Sequence, residues 1–273
     1  MLTQAEITAL AGKAREIRRL SLEMFATIGT GHVGGAMSIV DALAVLYFKE
    51  MKIRPEEPKW ADRDRFILSK GHAGPSLYAT LALRGYFDKA ECYTLNQPGT
   101  NLPSHCDMRK TIGIDMTAGS LAQGFSASVG MALACRLDKR ENRVFAIIGD
   151  GESQEGLIWE AAMFAGNRKL SNLIAFCDNN KMQIDGNTND INSIEPIADK
   201  WAAFRWNVLQ CDGHDVAAIY DAIQKAKECA DKPSMIVMST IKGKGASFAE
   251  GLVASHSMPV SKEDLAAALA QLS

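Results

Sequence analysis

Two stretches decide the fold: Val144-Phe-Ala-Ile-Ile-Gly-Asp-Gly151 and Leu173-Ile-Ala-Phe-Cys-Asp-Asn-Asn180. Each is an uninterrupted apolar run that closes on polar residues and a turn. Such runs fit strands buried on both faces, as in parallel sheets. The runs end in oxygen-bearing side chains that suit a hard cation: Asp150 on the first, and Asp178, Asn179 and Asn180 on the second. Ligands of open parallel sheets bind beyond the carboxyl ends of the strands. A carboxylate plus a side-chain amide suits Mg²⁺ or Ca²⁺, whose coordination is usually completed by phosphate oxygens. Gly149 and Gly151 let the backbone approach such phosphates. The stretch therefore reads as a metal-bridged diphosphate site on a parallel sheet.

The same alternation extends outward. Strands are expected at Arg65–Leu68, Asn207–Cys211 and Ser234–Ser239. Helices are expected over about 4–27, Ser38–Phe48 (with Ser38 as cap and Asp41 in the first turn), Pro75–Arg84 and Leu121–Leu137. Others fall at Gln154–Gly166, Asp215–Cys229 and Ser261–Leu269. Strand and helix alternate from residue 143 onward. This predicts a doubly wound α/β parallel sheet with helices on both faces, as a single domain over 1–273. Residues 95–118 carry Gly and Pro and little periodicity, and long loops in compact domains are often functional.

Composition narrows the function. The chain has 273 residues, 47% hydrophobic and 23% charged, with a net charge of -2. That balance argues against nucleic acid as a partner. No apolar stretch approaches the roughly 20 residues of a membrane helix, and the N-terminus lacks an export signal. The six cysteines are scattered without Cys-x-x-Cys. This predicts a reduced, cytoplasmic protein without zinc or disulfides, with Cys177 and Cys211 as buried thiols.

Four of the five histidines stand in loops: His32, His72, His105 and His256. Together they suggest a site, because loops at the strand ends carry binding groups. Imidazole suits proton movement near neutral pH.

At this point the chain resembles a known family. Gly149-Asp-Gly followed by Asn180 is similar to the thiamine diphosphate signature, and Gly149-Asp-Gly-Glu-Ser-Gln-Glu-Gly156 resembles transketolases. In the family's order come Gly31-His32, Leu68-Ser-Lys-Gly-His72, Gly119-Ser-Leu-Ala-Gln-Gly124, Asp178-Asn-Asn-Lys181, Asp212-Gly-His-Asp215 and Lys242-Gly-Lys-Gly245, with His256 beyond. The resemblance implies thiamine diphosphate as cofactor, with Mg²⁺ or Ca²⁺. It assigns the metal to Asp150, Asn180 and the main-chain carbonyl of Met182. Gly149, Gly151, the backbone of Glu152 and Lys242 would face the diphosphate. Gly119 and Leu121 would face the pyrimidine side, and the four loop histidines the substrate channel. His214 reads as structural, at a turn into a helix. Glu155 matches a glutamate at the family's subunit interface; a solvated helix face is the other reading.

Family members are more than twice this length, and the half that supplies the pyrimidine-side glutamate has no counterpart here. The resemblance thus implies the N-terminal subunit of a split transketolase. It would transfer a two-carbon ketol unit from a ketose phosphate to an aldose with a separately encoded C-terminal subunit, as α2β2. Two other readings are the α subunit of a thiamine diphosphate-dependent 2-oxo acid dehydrogenase and a non-catalytic homologue. The histidines and Gln154-Glu-Gly156 favour the transketolase over the first. Intact Asp150 and Asn180 favour it over the second.

Overall fold

Side-chain parity along the strands builds two cores back to back. The computed structural model describes residues 1–272. The chain begins α1 (Gln4–Ile28), β1 (Thr30–Gly31), α2 (Val33–Met37), α3 (Val40–Val45), β2 (Arg65–Leu68) and α4 (Gly74–Arg84). It continues α5 (Gln123–Leu137), β3 (Val144–Gly149), α6 (Gly156–Arg168), β4 (Leu173–Asn179), α7 (Thr188–Asn192) and α8 (Ile197–Ala203). It closes with β5 (Asn207–Asp212), α9 (Val216–Glu228), β6 (Ser234–Ser239), β7 (Met258–Pro259) and α10 (Lys262–Gln271).

Five strands form one parallel sheet in the order β2-β3-β4-β6-β5. Phe145, Ile147, Ile174, Phe176, Ile236 and Met238 point to one face, into a core with α1, α3, α4 and α9. Val144, Ala146, Ile148, Ala175, Cys177 and Val237 point to the other, against α5, α6 and α8. Alternate residues of a strand face opposite ways, so a strand covered on both sides must be apolar throughout. That is why these runs are legible. Burial of this kind stabilises by roughly 25 cal/mol per Å² of apolar surface.

Several ends follow local chemistry. Thr3 and Glu6 form a capping box at the start of α1, and Gly29 ends it in the left-handed region. Asp215 caps α9 by accepting from the N–H groups of Ala217 and Ala218. The 95–118 segment has no regular helix or strand but is pinned by buried Leu95, Leu102, Cys106 and Ile114.

Three local expectations fail. Ser38 does not cap a helix. It lies between α2 and α3, and its hydroxyl donates to Asp178 Oδ2 at 2.7 Å. Asp41 does stand in the first turn of α3, buried and paired there with Arg18. The helix after β3 starts at Gly156, preceded by a 3₁₀ turn over Gly151–Gln154. Cys211 is only half-buried, on the edge strand β5, whereas Cys177 is fully buried. Among the described residues no helix is long and apolar enough to cross a membrane.

Candidate functional site

The carboxyl ends of β2, β3 and β4 and the loops around them enclose a cavity of about 460 Å³. Register places the ends of β3 and β4 side by side, with Gly149 opposite Asp178. All but two of the candidates from the sequence line this cavity. Gly149, Asp150, Gly151, Glu152, Asn180 and Met182 come from the strand ends, and Gly119 and Leu121 from the segment before α5. His32, His72, His105, His256 and Lys242 come from loops, and Glu155 from the start of α6. Gly71 lets two of these loops meet, because a Cβ there would stand 2.0 Å from the Ala118 carbonyl oxygen.

Asp150 is 2% exposed. Its Oδ1 accepts from Gly151 N–H at 2.7 Å and its Oδ2 from Lys181 N–H at 2.5 Å. Burial, reinforced by the charge of Asp178, pushes its carboxyl up to about 7. Asn180 donates through Nδ2 to Asp178 Oδ2 at 3.1 Å and accepts the Met182 N–H on Oδ1. Asp178 thereby fixes which end of that amide is oxygen.

Asp178 itself does not line the cavity, in contrast to the sequence expectation. Its carboxylate accepts from Lys70, Ser38, Asn180 and Thr240 and is fully buried. Burial alone would raise it, but the Lys70 ammonium and these hydrogen bonds hold it below the usual carboxylate range. Asn179 also lies elsewhere, in a separate depression near Gln210 and Ser239. Glu152 turns its carboxylate inward, accepting from Ser69 Oγ, Ala122 N–H and Gly149 N–H, so it ties three segments together. Burial raises its pKa.

The histidines form one cluster. The His32 ring lies 5.4, 5.7 and 5.5 Å from those of His72, His105 and His256, and His72 lies 5.2 Å from His256. Burial, then the charge of His105, lowers His32. Burial, then Lys70 and His256, holds His72 well below the usual imidazole value. Burial, then Lys242, brings His256 down to about 4. These three rings are therefore neutral near pH 7, each with one N–H donor and one bare nitrogen.

Lys242 is 2% exposed; burial, then Lys70, brings its ammonium down to about 8. Its Nζ stands 3.4 Å from the Gln183 carbonyl oxygen and 3.5 Å from His256 Nδ1. Glu155 is exposed and forms no side-chain cap on α6.

This donor set fits a divalent cation bridged to a diphosphate. Asp150, Asn180 and Met182 line the cavity and bring a carboxylate, an amide oxygen and a main-chain carbonyl, which is hard-cation chemistry. Among the described residues no group of three His, Cys, Asp or Glu could hold a metal. A cation here would need further oxygens from a bound anion, for which the Lys242 ammonium would be counter-charge. It would also relieve the cost that burial imposes on ionised Asp150.

A family model described as the transketolase thiamine diphosphate binding domain matches residues 11–273. The chain belongs to the transketolase family. It is 60% identical over 263 residues to the 6-deoxy-6-sulfo-D-fructose transketolase subunit SqwG of Clostridium sp. (strain MSTE9), covering 96% of each. It is 36% identical over 251 residues to an apulose-4-phosphate transketolase subunit of Phocaeicola vulgatus, covering 92% of this chain and 89% of that one. The transketolase of Campylobacter jejuni superposes with a TM-score of 0.92 at 31% identity, over 97% of this chain and 43% of that one. The chain thus spans nearly all of the relatives named as subunits and about two-fifths of the larger transketolase. It is an N-terminal transketolase subunit, a transferase component of the split type.

Several residues of the site carry no local signal in the sequence. Lys70 stands within Leu68-Ser-Lys-Gly-His72, yet nothing local says that it is buried against Asp178. Gln154, Gln183, Ile184 and Asp185 also line the cavity. Gln183 carries no periodic signal, being in the turn after β4.

Proposed function

We propose that this chain, acting as one unit over 1–273, supplies the diphosphate side of a ketol-transferring site whose donor is a ketose with a terminal anionic group. The observation that carries the reading is the meeting, in one cavity, of four imidazoles, the oxygens of Asp150, Asn180 and Met182, and the Lys242 ammonium. The 60% identity to the subunit named for 6-deoxy-6-sulfo-D-fructose supports that sugar as first candidate; ketose phosphates of pentose phosphate metabolism are the alternative.

Asp150, Asn180 and the Met182 carbonyl would hold Mg²⁺ or Ca²⁺. Lys242, Gly149, Gly151 and the Glu152 main chain would receive the diphosphate, and Gly119 and Leu121 the pyrimidine side. Bound thiamine diphosphate supplies the electron sink that cleavage next to a carbonyl requires. The histidines do the rest on this side. A neutral ring can donate an N–H to the donor's carbonyl oxygen, where charge develops, and accept a proton from a sugar hydroxyl through its bare nitrogen. Burial keeps His72 and His256 in that state. Glu155, exposed at the rim, is free to meet the partner. A separately encoded C-terminal subunit, in an α2β2 assembly, would complete the cavity. The six free cysteines suit a reducing compartment such as the cytoplasm.

The test is ketol transfer with this chain, the C-terminal subunit, and the two mixed, with thiamine diphosphate and Mg²⁺. Donors are 6-deoxy-6-sulfo-D-fructose, fructose 6-phosphate and xylulose 5-phosphate, and the acceptor is glyceraldehyde 3-phosphate. Activity in the mixture alone, highest with the sulfonated ketose and releasing a four-carbon sulfonated aldose, is expected. A preference for xylulose 5-phosphate would overturn the sugar assignment. Full activity of the isolated chain would overturn the need for a partner.

A further inference from the structure

Lys242 enters the cavity from the turn that follows β6, which lacks regular structure of its own. What fixes that turn lies outside the cavity. Arg18 of α1 and Asp41 of α3 form a two-pronged ion pair at 3.1 and 2.5 Å, each side chain 7% exposed. His214, between β5 and α9, joins them with Nδ1 at 3.0 Å from Asp41 Oδ2. Two arms leave this triad for the same short segment. The Ile241 N–H donates to His214 Nε2 at 2.8 Å, and Arg18 Nε donates to the Lys244 carbonyl at 3.0 Å. Lys242 lies between the two grips.

The tautomer follows from the bonds. Nε2 accepts from a main-chain N–H, so it carries no proton, and the ring's hydrogen is on Nδ1, donated to Asp41. The turn has little slack. Gly243 sits at φ +80 and its N–H donates to the Gly34 carbonyl at 2.9 Å. The Lys242 side chain crosses Gly34 so closely that a Cβ there would be 2.8 Å from its Cγ. The ammonium then ends beside His256 Nδ1.

We propose that His214, backed by Arg18 and Asp41, is a positioning residue that clamps residues 241–244 and so sets Lys242, with the His256 ring beside it, at the diphosphate end of the cavity. The role deepens the reading above and rests on Lys242 as a diphosphate contact.

Two substitutions separate the two ring nitrogens. His214→Asn keeps an N–H donor toward Asp41 and loses the acceptor for Ile241. His214→Gln keeps an oxygen acceptor near the Nε2 position. The assembled two-subunit enzyme is titrated with thiamine diphosphate at fixed Mg²⁺, and kcat, the KM for cofactor and Tm are read for each variant. His214→Asn should weaken cofactor affinity about tenfold, the low end of what outer partners of a metal site contribute. It should change kcat less than KM, and His214→Gln should recover most of the loss. In a Lys242→Ala background, His214→Asn should cost less than about twofold more, because the two act through one group. If His214→Asn does not fold, Arg18→Lys replaces it, keeping a charge for Asp41 but losing the Nε donor to Lys244. Full additivity with Lys242→Ala, or equal losses for Asn and Gln, would overturn the positioning role while leaving the reading of Lys242 intact. Unchanged affinity in Lys242→Ala alone would instead remove that reading, and the clamp's purpose with it.

Discussion

Asp150 and Asp178 stand at the ends of adjacent strands, both buried, and do opposite things. Asp178 accepts from four side-chain donors, Lys70, Ser38, Asn180 and Thr240. A carboxylate has about four lone-pair sites, so Asp178 is saturated. Asp150 accepts from two main-chain N–H groups, and its remaining capacity faces the cavity. The partners of Asp178 hold its carboxyl below the usual range and keep it ionised, whereas burial pushes Asp150 up to about 7. A saturated buried carboxylate builds the protein; an unsaturated one facing open space is set for a ligand. Residue type and position in sequence do not separate the two, but their partners do.

The largest expected effect tests the unsaturated member. Asp150→Asn should weaken Mg²⁺-dependent thiamine diphosphate binding by more than about 100-fold, beyond the usual range for outer partners of a metal. The ligand-free protein should not suffer. A carboxyl raised to about 7 is an unfavourable charge above that pH, a cost that appears as pH rises from the unfolded value of 3.8 through 7. Removing the charge should therefore raise Tm at pH 8 and leave it nearly unchanged at pH 4. A fall in Tm at pH 8 would show that Asp150 is structural, like its neighbour.

Asp178→Asn should act with the opposite sign on stability. It leaves Lys70 buried without a counter-charge, and breaking a buried pair costs about 3–5 kcal/mol. It also frees the Asn180 amide, so cofactor affinity should fall by about 10–100-fold. Urea unfolding and cofactor titration on the same variant check both. Loss of affinity without loss of stability would place Asp178 among the ligand groups after all.

This contrast also marks where the sequence stops being legible. The strands are plain because both faces are apolar, and Ser234–Ser239 falls where expected. The cavity residues are plain because strand ends, glycines and loop histidines converge by topology. Ser38 misleads because Ser followed by Asp41 imitates a helix start, while its actual partner, Asp178, lies 140 residues away. Asp41 stands in the first turn of α3 as expected, but its partner His214, 173 residues on, gives no local signal. Helices α7 and α8 and the short β1–β7 pair give no strong period and so no signal in the sequence. Local propensity shows where an element can be; it does not show which polar side chain a distant strand will claim.

A smaller effect lies in the acid limb. His256 has a folded value of about 4 against an ordinary imidazole value of 6.5, so between these values the unfolded chain binds more protons. Its contribution to stability is complete above about 6.5 and is lost as pH falls toward 4. Partial exposure screens the effect, so it should be modest. His256→Asn should flatten the Tm-against-pH curve between pH 4 and 6.5 while leaving it unchanged at pH 8. An unchanged acid limb would mean that the ring titrates normally and that its cluster is open to water.

The smallest effect belongs far from both carboxylates, at the start of α1. Thr3 Oγ1 accepts the Glu6 N–H at 3.3 Å, and Glu6 Oε2 accepts the Thr3 N–H at 2.8 Å. Both donors are among the four that a helix start leaves unpaired. Thr3→Ala removes one acceptor at an exposed position and should cost about 1 kcal/mol in urea unfolding. Arg18, which holds the Lys242 turn, lies fifteen residues further along α1, about four turns away, behind a packed core. A helix that frays only at its first turn should leave that grip untouched, so cofactor affinity should not change. A matching loss of affinity would mean that stability and ligand capacity are coupled along α1. The division between carboxylates that build the protein and those that await a ligand would then be one of degree.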